Sequence, residues 1–84
     1  MLPLTFVKTG DIVRVVRVQG NDAVKKHLNE LGFVNDTIVN VISSHNGDVI
    51  LNVKNSRLAI TKAMADKIMV DIASEKELLK EQIN

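Results

Sequence analysis

Asn46-Gly47 stands between two runs dense in β-branched residues, Thr37–Ser43 (TIVNVIS) and Asp48–Val53 (DVILNV). Both central residues of the favoured two-residue hairpin turn need positive φ, which glycine and asparagine accept most readily. This pair therefore predicts an antiparallel hairpin, and few other folds accommodate it. Ser56–Ile60 (SRLAI) predicts a third strand, returning through a second tight turn over Lys54-Asn55-Ser56-Arg57.

Upstream, Asp11–Val18 (DIVRVVRV) is short and β-branched, which argues for a strand. Val13 and Val15 share one face and Ile12, Val16 and Val18 the other, with Arg14 and Arg17 on opposite faces. Neither face is then wholly apolar, as happens where a barrel strand bends and changes sides. Between this strand and the hairpin, Val24, Leu28 and Leu31 recur at helical spacing, with Asn21 or Asp22 able to cap the start. Lys25, Lys26, Asn29 and Glu30 take the outer side.

The helix ends on LNELGF. With Gly32 just past the end, Leu31 is the C-cap, Leu28 the third residue back, and Phe33 the residue that commonly contacts it. The expectation is a positive φ at Gly32 and Phe33 set against Leu28. Thr61–Ala65 (TKAMA) predicts one helical turn capped by Thr61. Lys67–Ile72 (KIMVDI) predicts a closing strand with Ile68, Val70 and Ile72 on one face.

Five short strands, one helix after the first strand and a helical turn before the last describe a mainly β fold. The form expected is a small, partly open barrel of the SH3-like type. An OB-like barrel is the rival, but its helix usually falls between the third and fourth strands. The 84 residues make one small domain, expected over 1–73, with 74–84 as a separate tail. Aromatics are only 2% of the chain, so the core is expected to be Val, Ile and Leu. In the tail, Ser74 and Glu77 have capping-box spacing, and Leu78, Leu79 and Ile83 form a stripe. That helix either self-associates weakly or, as preferred, frays or packs back on the domain.

Composition excludes much chemistry. There are no cysteines, hence no disulfides, thiolate metal sites or thiol nucleophiles. Eleven basic against ten acidic residues give a net charge of +1, too little to draw in nucleic acid by field alone. Lys25, Lys26, Arg14, Arg17, Lys54 and Arg57 are interspersed with acids. With Phe6 and Phe33 the only aromatics, a nucleic-acid-binding barrel is the weaker reading. The start of the chain has no basic region or apolar run of signal-peptide length, and no segment reaches a membrane span.

The four glycines are scattered singly and form no phosphate loop. Ser43, Ser44, Ser56 and Ser74 lack an activating motif, and Asp11, Asp36 and Asp48 are better explained as turn residues. No enzyme, cofactor or dedicated metal site is expected. Direct metal sensing would need His27, Glu30 and His45 to converge.

The order of these parts resembles a known family. KTGD before the first strand is similar to the KPGD lead-in of the FeoA family, the ferrous iron transport protein A domain. LNELGFVND followed by TIVNVI is similar to that family's L-x-E-L-G-F-x-P-G and its following strand. GDVILNVKNSRLAITKAMADKIMV resembles its last portion, with Arg57, Ala59, Ala65, Ile68 and Val70 at the family's positions and Ile60 where leucine is usual. The resemblance covers roughly residues 3 to 72. Thr9 replaces the lead-in proline, Asn35-Asp36 replaces Pro-Gly, and Asn55 stands where glycine is common.

The resemblance implies a barrel of the bacterial cytosol, accessory to ferrous iron uptake, whose partner is FeoB, a membrane permease carrying a GTPase. The contact set expected on this chain is Lys25, Lys26, Asn29 and Glu30, with Leu31 and Phe33 if they are exposed. GTPase activation would need a reachable Arg14, Arg17 or Arg57. A metal-responsive binding domain is the alternative, and a small nucleic-acid-binding barrel a less favoured one.

Overall fold

The computed structural model describes residues 1–73; the expectations for 74–84 lie outside them. The chain runs β1 (Leu2–Pro3), a 3₁₀ turn (Leu4–Phe6), β2 (Ile12–Val18), α1 (Asp22–Glu30), β3 (Ile38–His45), β4 (Asp48–Val53), β5 (Ser56–Ile60), α2 (Lys62–Ala65) and β6 (Ile68–Ile72). All strand pairs are antiparallel, in the order β1-β6-β2-β3-β4-β5. The outer strands β1 and β5 do not pair, so the sheet curls without closing. The mainly β, partly open barrel expected from the sequence is what forms. It has one strand more, because the two-residue β1 pairs Leu2 with Val70 and Pro3 with Met69.

Both hairpins have the two-residue turns that match strand twist. Asn46 (φ 54°) and Gly47 (φ 91°) join His45 to Asp48, and Lys54 (φ 50°) and Asn55 (φ 66°) join Val53 to Ser56. β5 starts at Ser56 as expected, and its turn is centred on Lys54-Asn55, one residue earlier than the expected Lys54–Arg57 span places it.

The family's Pro-Gly positions also become intelligible. Asp11 N–H donates to Lys8 O at 3.0 Å and Thr37 N–H to Val34 O at 3.2 Å. Each closes a four-residue turn whose third residue, Gly10 (φ 92°) or Asp36 (φ 70°), has positive φ. That is the type II pattern, which takes proline second and glycine third. Thr9 and Asn35 hold the second position here. The hydroxyl of Thr9 accepts from Ser44 N–H at 3.2 Å, a bond proline would lack.

Bulges in β2 and β3 set which residues face inward. Pairing steps from Val15–Val70 to Arg17–Met69, leaving Val16 extra, and from Val41–Leu51 to Ser43–Ile50, leaving Ile42 extra. Val13 and Val15 are buried as one face, and past the bulge Val18 also packs on the core. Arg14 and Arg17 therefore need no place inside, although three residues apart; no described charged side chain is buried. The core is Val, Leu and Ile with Ala65 and one aromatic, Phe33, its largest member. Ile68 and Val70 are buried as expected, but Ile72, on the same strand face, is 55% exposed beyond the end of the core.

Candidate partner-binding surface

Helix α1 forms because its ends are closed and one stripe is apolar. Asn21 Oδ1 accepts from Val24 N–H at 2.9 Å and caps the start. At the other end, Gly32 N–H donates to Asn29 O at 3.0 Å and Phe33 N–H to Leu28 O at 3.1 Å. With Gly32 at φ 110°, this is the full Schellman pair. Leu28 and Phe33 are both fully buried in the core, with Val24 and Leu31 packed partly against it.

This geometry sorts the expected contact set. Lys25, Lys26, Asn29 and Glu30 are exposed on one helix side. Leu31 is half-buried. Phe33 is not a surface residue at all: it is 0% exposed, because the helix stop turns its side chain inward. The condition on which Phe33 joins the contact set, exposure, is not met, and Phe33 leaves the set.

The other phenylalanine, Phe6, belongs to no motif in the sequence, yet it is 70% exposed. Phe6 ends the 3₁₀ turn, where Leu4 is buried and Thr5 Oγ1 donates to Asp66 Oδ1 at 2.8 Å. The turn is thus held from both sides while Phe6 points to solvent, beside a hollow lined by Thr5, Asn46, Gly47, Lys62 and Asp66. An exposed aromatic is a common anchor for a partner. The only signal in the sequence was the break in β patterning around Pro3, which gives no exposure.

The arginines differ in availability. Arg14 bonds Asp36 Oδ1 at 2.9 Å and Asp71 Oδ2 at 3.3 Å, and the α-amino group of Met1 lies 2.9 Å from Asp71 Oδ1. A guanidinium engaged by two carboxylates is a structural tie between β2, β6 and the loop after α1. Arg17 and Arg57 are exposed. His27 and Glu30 lie exposed on α1 and His45 at the hairpin end. Among the described residues no three His, Cys, Asp or Glu side chains are grouped to hold a metal ion. Nor is any described helix long and apolar enough to cross a membrane.

Comparison with known proteins matches the FeoA domain to residues 2–72, every strand and helix described above. A protein of Methanocaldococcus jannaschii named as an Fe(2+) transport protein A is 36% identical over 73 residues, 87% of this chain and 89% of that one. The crystal structure of an iron uptake regulatory protein (FeoA) superimposes with a TM-score of 0.78 at 29% identity, covering 86% of this chain and 96% of the other. FeoA of Stenotrophomonas maltophilia complexed with zinc, described as a procaryotic SH3 domain protein, gives 0.73 at 27% identity, covering 84% and 91%.

Proposed function

This chain belongs to the FeoA domain family, and from that premise we propose that it is a cytosolic accessory protein of ferrous iron uptake. It binds the cytosolic part of a FeoB-type membrane GTPase permease and modulates it, with no catalysis of its own. The observation that carries this reading is the family match over residues 2–72, which spans the entire described fold. Its supporting geometry is a surface suited to protein contact: Lys25, Lys26, Asn29 and Glu30 exposed along α1, with Leu31 at their edge. Phe6 joins the candidate contacts in place of Phe33. If the protein also acts on GTP turnover, Arg17 and Arg57 are the arginines free to reach a nucleotide, and Arg14 is not.

The test is capture of the FeoB cytosolic domain by the purified chain, with ferrous uptake measured in parallel. Exchange of the helix charges, Lys25→Glu with Glu30→Lys, is expected to weaken both. Phe6→Ser is expected to weaken capture while leaving the fold intact. Undiminished binding and uptake in the charge-exchanged variant would remove α1 from the interface. Failure of the unsubstituted chain to capture the domain would remove the permease as partner.

A further inference from the structure

The solvent face of the sheet between β2 and the β4–β5 turn is hollowed into a depression of about 580 Å³, with Arg57 of β5 just outside its lining. The described residues that line it are Ile12, Ile38, Asn40, Asn52, Lys54 and Asn55. Register explains why these residues meet. Ile12 pairs with Asn40, Asn40 with Asn52, and Asn52 with Arg57, so one row of same-face side chains crosses four strands. Ile38, paired with Arg14, stands one step along. The row presents an aliphatic end, two adjacent carboxamides at its centre, and a cationic end.

The turn at that cationic end is strained. Lys54 (φ 50°) and Asn55 (φ 66°) both occupy the left-handed region. Asparagine tolerates it, whereas lysine rarely does. The same chain makes its other two-residue hairpin with the relaxed pair Asn46-Gly47, so the fold does not demand lysine at this kind of turn. Strain retained where a relaxed alternative exists points to a use for the side chain. Here Lys54, the strained residue, and its turn partner Asn55 both line the depression.

The electrostatics agree. Among the described residues, no aspartate or glutamate lines the hollow. Lys54 and Arg57 make no ion pair with any described residue, while Asp36 and Asp71 are both bonded to Arg14. Cross-strand neighbours stand about 4.8 Å apart, so Asn40 and Asn52 offer paired donors and acceptors at a spacing suited to peptide groups.

We propose that this hollow docks an extended acidic segment of a partner protein. Its peptide groups bond Asn40 and Asn52, a carboxylate meets Lys54 and Arg57, and an aliphatic side chain rests on Ile12 and Ile38. The proposal goes beyond the family reading and does not require the partner to be the permease.

The experiment is a titration of the ¹⁵N-labelled chain, followed by amide chemical shifts, with a capped heptapeptide of alternating glutamate and valine. Saturable shifts are expected at Asn40, Asn52, Lys54 and Asn55, and weaker binding of the same peptide with glutamine for glutamate. Lys54→Gln with Arg57→Gln is expected to lose roughly fivefold or more in affinity, and Lys25→Gln with Lys26→Gln less than roughly twofold. Lys54→Gly separates binding from folding: it relaxes the turn, so it is expected to gain stability while losing affinity. Shifts centred on α1, equal binding of the glutamine peptide, no saturation, or unchanged affinity in Lys54→Gly would each overturn the proposal. So would tighter occupation of the hollow by a uridine oligonucleotide, which would assign it to nucleic acid.

Discussion

The backbone N–H of Lys62 donates a 2.8 Å hydrogen bond to Oδ1 of Asp48, so a residue that closes the first hairpin also caps α2. Thr61, the local candidate for that cap, makes no side-chain cap bond. Asp48→Ala is therefore expected to cost about 1 kcal/mol, and Thr61→Ala a few tenths at most. In a domain of this size that separates the two melting temperatures by about 4–8 °C, which a thermal melt followed by circular dichroism resolves. Equal melting temperatures would show that Thr61 shares the cap in solution.

The two phenylalanines make opposite predictions. Phe33 is fully buried and Phe6 is 70% exposed. Phe33→Ala is expected to cost about 3–5 kcal/mol, enough to unfold much of a small domain at ambient temperature. Phe6→Ala is expected to change stability by about 0.5 kcal/mol or less. Urea denaturation of both variants checks the contrast.

Gly32 is required twice over. Its φ is 110°, and a Cβ added there would stand 3.3 Å from Val53 Cγ2. Gly32→Ala is expected to lose at least about 1–2 kcal/mol through backbone strain alone. The denaturant midpoint is expected to fall with an unchanged slope, since the unfolded chain exposes the same surface. Exchange at the amides of Gly32 and Phe33, which donate the helix-closing bonds, is expected to quicken most.

Arg14 separates two ion pairs by exposure rather than by distance. Its contact to Asp36 is shorter, 2.9 Å against 3.3 Å, but the Asp36 side chain is 79% exposed and that of Asp71 39%. Solvent screening favours the less exposed pair, so double-mutant cycles are expected to give Arg14–Asp71 about 0.5–1 kcal/mol and Arg14–Asp36 less than about 0.5 kcal/mol. Asp36 also carries φ 70°. Asp36→Gly is expected to leave stability nearly unchanged, since relief of strain offsets the lost bond. Asp36→Ala keeps the strain and loses the bond, and is expected to lie about 1 kcal/mol below it.

What the sequence determined by itself was local. The strands Asp48–Val53 and Ser56–Ile60, the Asn46-Gly47 hairpin, the Asn21 cap and the Gly32 stop all follow from φ preferences and hydrophobic spacing within a few residues, and the structure keeps them. The order of those elements was enough to point to the family. Tertiary structure decided what depends on closing the sheet. The extra residues Val16 and Ile42 differ in no local way from their neighbours, and become bulges only because β2 and β3 must bend while keeping Val13, Val15, Val39 and Val41 inward. Asp48 reaches α2, Arg14 gathers Asp36 and Asp71, and Asn40 meets Asn52 across strands because packing brings distant segments together. The two phenylalanines are chemically identical in the sequence. One is drawn inside by a helix stop bonded to Leu28, and the other is held in solvent by a turn tied to Asp66. That difference belongs to the burial of the whole chain, which no short stretch of it encodes.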